Sequence, residues 1–178
     1  MTCPAPTPSP TPPAPLGGLL GNSAPGGLPV VPLVATADPG APTMTLPAAQ
    51  MGGSSLSFTG LKKVSLVTVP LANGDRTTVI RLAANSITIT DFTLDVRPSG
   101  NVPGLVSYAK RMTLTGNVVA YVNSVSATLL GGAGLTLGAD TPLPTNEKIP
   151  STLLSVHLGL VGVTAHRITF IASHQFFE

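Results

Sequence analysis

Tryptophan is absent from this chain, tyrosine occurs twice, and there is a single cysteine, Cys3. One thiol excludes an intramolecular disulfide. The shortage of aromatics counts against a nucleic-acid site, which needs stacking rings beside a dense basic patch. Charge is scarce too: 9% of residues are Asp, Glu, Lys or Arg, for a net charge of +2, against about 25% charged in typical soluble domains. The only adjacent basic pairs, Lys62-Lys63 and Lys110-Arg111, read as solvated strand residues. Long apolar runs are missing. The longest, Leu129 to Leu135, is short and rich in glycine, so no transmembrane helix is predicted.

Motifs that carry chemistry are missing as well. No Gly-x-Ser-x-Gly elbow is present, and Gly52-Gly53-Ser54-Ser55 reads as a linker. The run Gly131-Gly132-Ala133-Gly134 lacks the lysine of a phosphate-cradling loop. Asp91 and Asp95 share a strand face with Thr93 between them. Two carboxylates so placed would suit acid–base work or a hard cation, but they fall short of a calcium ligand set and read as a solvated face. His166 and His174 share parity with Ile168, Phe170 and Ala172, so both are expected on an apolar face. Eight residues of strand put them about 26 Å apart, too far to share a metal. We therefore expect no catalytic or metal residues and no cofactor.

What is present divides near residue 53. Residues 1–53 are built from Pro, Gly, Ala, Thr and Ser, a composition that buries too little apolar surface to offset chain entropy. The alternating prolines of residues 4–15 favour an extended spacer. The reading is a low-complexity stalk over 1–53 and one β domain over 54–178. No secretory segment precedes Cys3; the stalk composition favours a mature, exported piece over a cytosolic chain.

From Ser54 onward, Val, Ile, Leu and Thr alternate with period two, the mark of strands. Thr is β-branched and fits a pleated surface. Asn73-Gly74-Asp75 is the strongest hairpin signal. Ile87 and Ile89 alternate on one parity, Phe92 and Leu94 on the other; a bulge or corner at Thr90–Asp91 would let both sets face one core. Gly116-Asn117 marks a bend. The apolar pair Phe176-Phe177 near the last residue suggests either a buried final strand or a cut chain. The fold class is thus all-β: a single antiparallel domain, sandwich, roll or open groove, behind an irregular stalk. A short pattern recurs at Leu61, Ala84, Ala109 and Ala165, spaced 23, 25 and 56 residues. A period near 25 would hold two strands and two turns.

The opening Cys3-Pro4-Ala5-Pro6-Thr7-Pro8, followed by Leu16-Gly17-Gly18-Leu19-Leu20-Gly21, resembles the stalk of secreted proteins from actinobacteria such as streptomycetes. Met112 to Val122, continuing to Leu129-Leu130-Gly131, and Asp140-Thr141-Pro142-Leu143-Pro144 resemble the Thr- and Val-rich β domain of the same proteins. The resemblance implies an extracellular or cell-envelope location and supplies no catalytic residues.

These features point to a non-enzymatic structural or adhesive module whose partner is protein, by self-association or through another envelope component. Asp91 and Lys62-Lys63 would then guard sheet edges. A binding module for an apolar ligand such as a lipid is the alternative, with Val64, Ile87, Ile89, Met112, Leu114, Ile168 and Phe170 as lining. The same residues serve equally as core. A hydrolase with an unfamiliar site is the third reading.

Overall fold

The computed structural model describes residues 35–46, 48–97, 103–141, 143 and 149–178. The stalk before residue 35, with Cys3, lies outside the described residues. There is no helix among the described residues, and all regular structure is strand, as the alternation predicts. The eight strands are β1 (Thr36–Ala37), β2 (Ala49–Thr59), β3 (Lys63–Pro70), β4 (Arg76–Val96), β5 (Leu105–Thr128), β6 (Gly134–Gly138), β7 (Thr152–Thr164) and β8 (Arg167–Phe177). They form one sheet, antiparallel except where β1 runs parallel to β3.

The pairings close on themselves. β2 pairs with β4, β4 with β5, β5 with β7, and β7 returns to β2. The ring encloses the main core, with Ile80, Ile89, Val118, Val122 and Val156 among its fully buried side chains. Strands as long as β4 and β5, 21 and 24 residues, can line a ring only by bending. The bends are visible in the backbone. Asp91, Ser155 and Ala172 have φ of 49°, 47° and 51°, in the left-handed region that non-glycine residues seldom adopt. The registers flanking them align these three on one line across β7, β4 and β8. A residue in that conformation reverses which side of the strand the following side chains face. Ile87 and Ile89 before Asp91, and Phe92 after it, are all buried in one core, as the change of phase at Thr90–Asp91 predicts. A second corner falls at Gly116 and Asn117 (φ 78° and 46°), where the register between β4 and β5 shifts across Ala84/Ser86.

Two sequence expectations need correction. The sheet reaches back past residue 53: β2 starts at Ala49 and Met51 is buried in the core. Gly52-Gly53, read as linker, is a strand interior. A Cβ on Gly53 would lie 2.5 Å from Ile89 Cγ2 and 2.9 Å from the Thr90 carbonyl oxygen, so glycine marks close backbone approach here. Second, the repeat starts do not mark off whole strands: the interval from Leu61 holds β3 and the first part of β4, and the interval from Ala84 holds the rest of β4 and the start of β5. The repeats starting at Ala84, Ala109 and Ala165 lie side by side, with Met112 opposite Ile89 on β4 and Phe170 on β8.

Residues 35–46 cover part of the sheet's other face. Met44 packs there with Val67, Val69, Val79 and Tyr121 in a second apolar cluster. Asp38 fastens the segment: its Oδ1 accepts the Gly40 N–H at 3.0 Å and its Oδ2 accepts the Tyr121 hydroxyl at 3.0 Å. Arg81 Nε stands 2.9 Å from the same Oδ2 but off the N–H direction, so its pull is that of one charge on another. Burial, then the bond to Asp38, pushes the Tyr121 pKa above its ordinary value.

Candidate functional site: an apolar edge strand

β8 joins the sheet on one side only. Among the described residues it pairs with β5 from Leu105↔Phe177 to Thr115↔Arg167, and its other edge is open. All eleven of its residues are exposed. Five are large and apolar: Ile168 (44%), Phe170 (47%), Ile171 (48%), Phe176 (43%) and Phe177 (78%). Of the two readings of Phe176-Phe177, a buried final strand is not what the structure shows. The alternation that suggested burial is real, and Met112 and Leu114 opposite are buried, but the ring closes through β7 and leaves β8 outside it. Phe170 is anchored at one side by Phe92, with ring centroids 5.6 Å apart.

An exposed, apolar strand edge is a ready template for another strand, and proteins usually blunt such edges with charge, proline or bulges. β8 contains no proline and one charged residue, Arg167. The left-handed Ala172 is its one irregularity. The guards expected at Asp91 and Lys62-Lys63 are elsewhere. Asp91 is on β4, between β2 and β5, with its Oδ2 accepting the Ser54 hydroxyl at 2.6 Å. Lys62 reaches Asn117 Oδ1 at 3.3 Å, beside β3.

The expected ligand-lining residues fall in three places. Ile87, Ile89, Met112 and Leu114 surround an apolar cavity of about 60 Å³ inside the ring. Val64 is partly buried against the core, and Ile168 and Phe170 are out on β8. The cavity is small beside the roughly 300–1,000 Å³ of ligand pockets.

The acids do share a recess. Asp91, Asp95, His157 and Glu178 line a polar hollow of about 450 Å³ with Arg97 and Gly52-Gly53. Its one cation, Arg97, serves two of the three carboxylates, and the third, Asp91, accepts the Ser54 hydroxyl. Arg97 donates to both Asp95 oxygens at 2.9 and 2.7 Å and to Glu178 at 3.1 Å, and Asp95 raises the Arg97 pKa by hydrogen bond and charge. The chain Asp95–Arg97–Glu178 ties the end of β4 to the residue after β8, where Gly104 and Glu178 also exchange backbone hydrogen bonds. The histidines remain apart: His166 sits at the Gly116 corner, while His174 packs against Tyr108 and Phe176. Among the described residues, no three metal-ligating side chains are placed to hold one metal ion.

Compared with protein-family models, curated proteins and solved structures, the chain matches none. No described helix is long and apolar enough to cross a membrane. The single signal in the sequence for the exposed edge was a strand of eleven residues with one charge; alternation alone reads the same for a core strand and for a strand awaiting a neighbour.

Proposed function

We propose that this protein is a non-enzymatic structural or adhesive β module of the cell envelope or extracellular space, joined to other chains through β8. The observation that carries the reading is the open edge of β8 with its five exposed apolar side chains. Adding a strand there would satisfy the unpaired backbone groups and cover Phe170, Ile171 and Phe176 together. The remainder of the sheet is a rigid mount, because its ring of pairings does not depend on β8. The proline-rich residues before 35 supply reach, as their composition suggests. Export is supported by that composition.

Fractionation of the native host cells tests this. The wild-type protein is expected in the envelope or extracellular fraction, in assemblies larger than one chain. An Ile171→Lys variant, which places a charge on the exposed edge, is expected in the same fraction as single chains. A wild-type protein found as a cytosolic monomer contradicts the reading.

A further inference from the structure

We infer that the strand added to β8 is β8 of a second copy of this chain, running antiparallel to it. The inference rests on β8 being the joining surface and names its occupant. Charge fixes the direction. Arg167 opens the strand and Glu178 follows it directly, with no acid, lysine or further arginine between them. An antiparallel neighbour sets Arg167 of each copy beside the Glu178 end of the other. A parallel neighbour sets like charge against like at both ends, which is unfavourable across strands. In the antiparallel arrangement Ile168 and Phe170 of one copy lie against the half of the other that holds His174, Phe176 and Phe177, and aromatic–aliphatic pairs of that kind stabilise sheets.

The chain's own first residues are a poor substitute. Pro4, Pro6, Pro8, Pro10, Pro12, Pro13, Pro15, Pro25, Pro29 and Pro32 lack the N–H a ladder needs. Their longest proline-free interval, residues 16–24, contains Gly17, Gly18 and Gly21. A two-fold axis also uses the same patch on both partners, so pairing through β8 alone yields a closed dimer and not an open fibre.

Sedimentation velocity of the purified full chain, from micromolar to millimolar concentration, tests this. The wild type is expected to pass from monomer to dimer and stop there. Ile171→Lys is expected to weaken the dimer at least about tenfold. Thr169→Lys serves as a second edge variant should the first fail to fold, with far-UV circular dichroism as the check. Arg167→Glu alone and Glu178→Lys alone are each expected to weaken the dimer about 2- to 30-fold, as two symmetry-related exposed ion pairs would, and the double variant is expected to restore it. A dimer indifferent to the edge variants overturns the assignment to β8. A dimer lost in the edge variants but unmoved or strengthened by single charge reversals overturns the antiparallel direction. A wild type that stays monomeric, yet sits in larger assemblies in the host envelope, overturns the second copy as occupant while the joining role of β8 stands. Binding of the monomer to phosphatidylcholine or anionic vesicles, lost in Ile171→Lys, overturns it in favour of a lipid surface.

Discussion

Removing one oxygen, by Tyr121→Phe, tests how residues 35–46 are held to the sheet. The Tyr121 ring is buried with Met44, Val67, Val69 and Val79, and phenylalanine keeps that packing. What is lost is the hydroxyl's hydrogen bond to Asp38 Oδ2 at 3.0 Å. Asp38 retains the Gly40 N–H and the nearby Arg81 charge, so the change removes one charge-assisted bond and strands no ion. Such a bond is worth about 1.5–3 kcal/mol. At roughly 2–4 °C per kcal/mol for a domain of this size, the melting midpoint should fall by about 3–12 °C. Calorimetry at neutral pH measures it. The pH dependence is a second readout. The Tyr121 pKa is raised in the folded state, so the folded chain holds this proton longer than the unfolded one. The stability linked to it is complete below the unfolded value near 10 and is lost as pH rises through the folded value. Tyr121→Phe should therefore flatten the alkaline decline while lowering stability at neutral pH. An unchanged midpoint, or an alkaline decline as steep as in the wild type, refutes this account of the segment.

Gly116→Ala should destabilise by about 1–3 kcal/mol in urea titration, because it adds a Cβ in a left-handed backbone (φ 78°) and within 2.8 Å of His166 Nδ1. Gly53→Val should cost more than Gly116→Ala, since its side chain would overlap Ile89 and the β4 backbone; equal midpoints for the two would contradict the close approach of β2 to β4. Ile80→Ala, fully buried on β4, should lose about 2–5 kcal/mol. Native mass spectrometry of gently extracted protein should show the bare chain mass, because the apolar cavity is about 60 Å³; a copurified acyl lipid would revive the ligand-binding alternative.

The parts of the fold legible in the sequence are those set by local chemistry. Asn73-Gly74-Asp75 makes its turn with Gly74 at φ 91° and an Asn73–Asp75 side-chain bond, since few other residues accept that backbone. The reversal at Thr90–Asp91 shows in the parity of Ile89 and Phe92, because both must reach one core. Long-range facts were not legible. Gly52-Gly53 has the composition of a linker, and only the approach of Ile89 from β4, 36 residues along the chain, makes glycine necessary there. The runs from Thr77 to Leu82 and from Ile87 to Val96 read as two strands because the bend between them breaks the alternation, yet β4 passes through it. β8 is the sharpest case. Its alternation is that of a core strand, and whether such a strand lies inside the ring or on its rim depends on β7 pairing with β2, which no local pattern records. The candidate acids were found as a pair on β4, and Arg97 lies only two residues past Asp95, but Ser54, which bonds Asp91, and Glu178, which bonds Arg97, come from elsewhere in the fold.

The joining role proposed for β8 can be read at its own backbone. Hydrogen exchange of the peptide spanning Arg167–Glu178, followed as a function of protein concentration, tests it most directly. Fast exchange is expected in dilute solution at the amides that do not face β5, and protection there that rises with concentration while the core of β5 stays constant. Exchange across β8 that is the same at every concentration, in a protein that nonetheless associates, would contradict it.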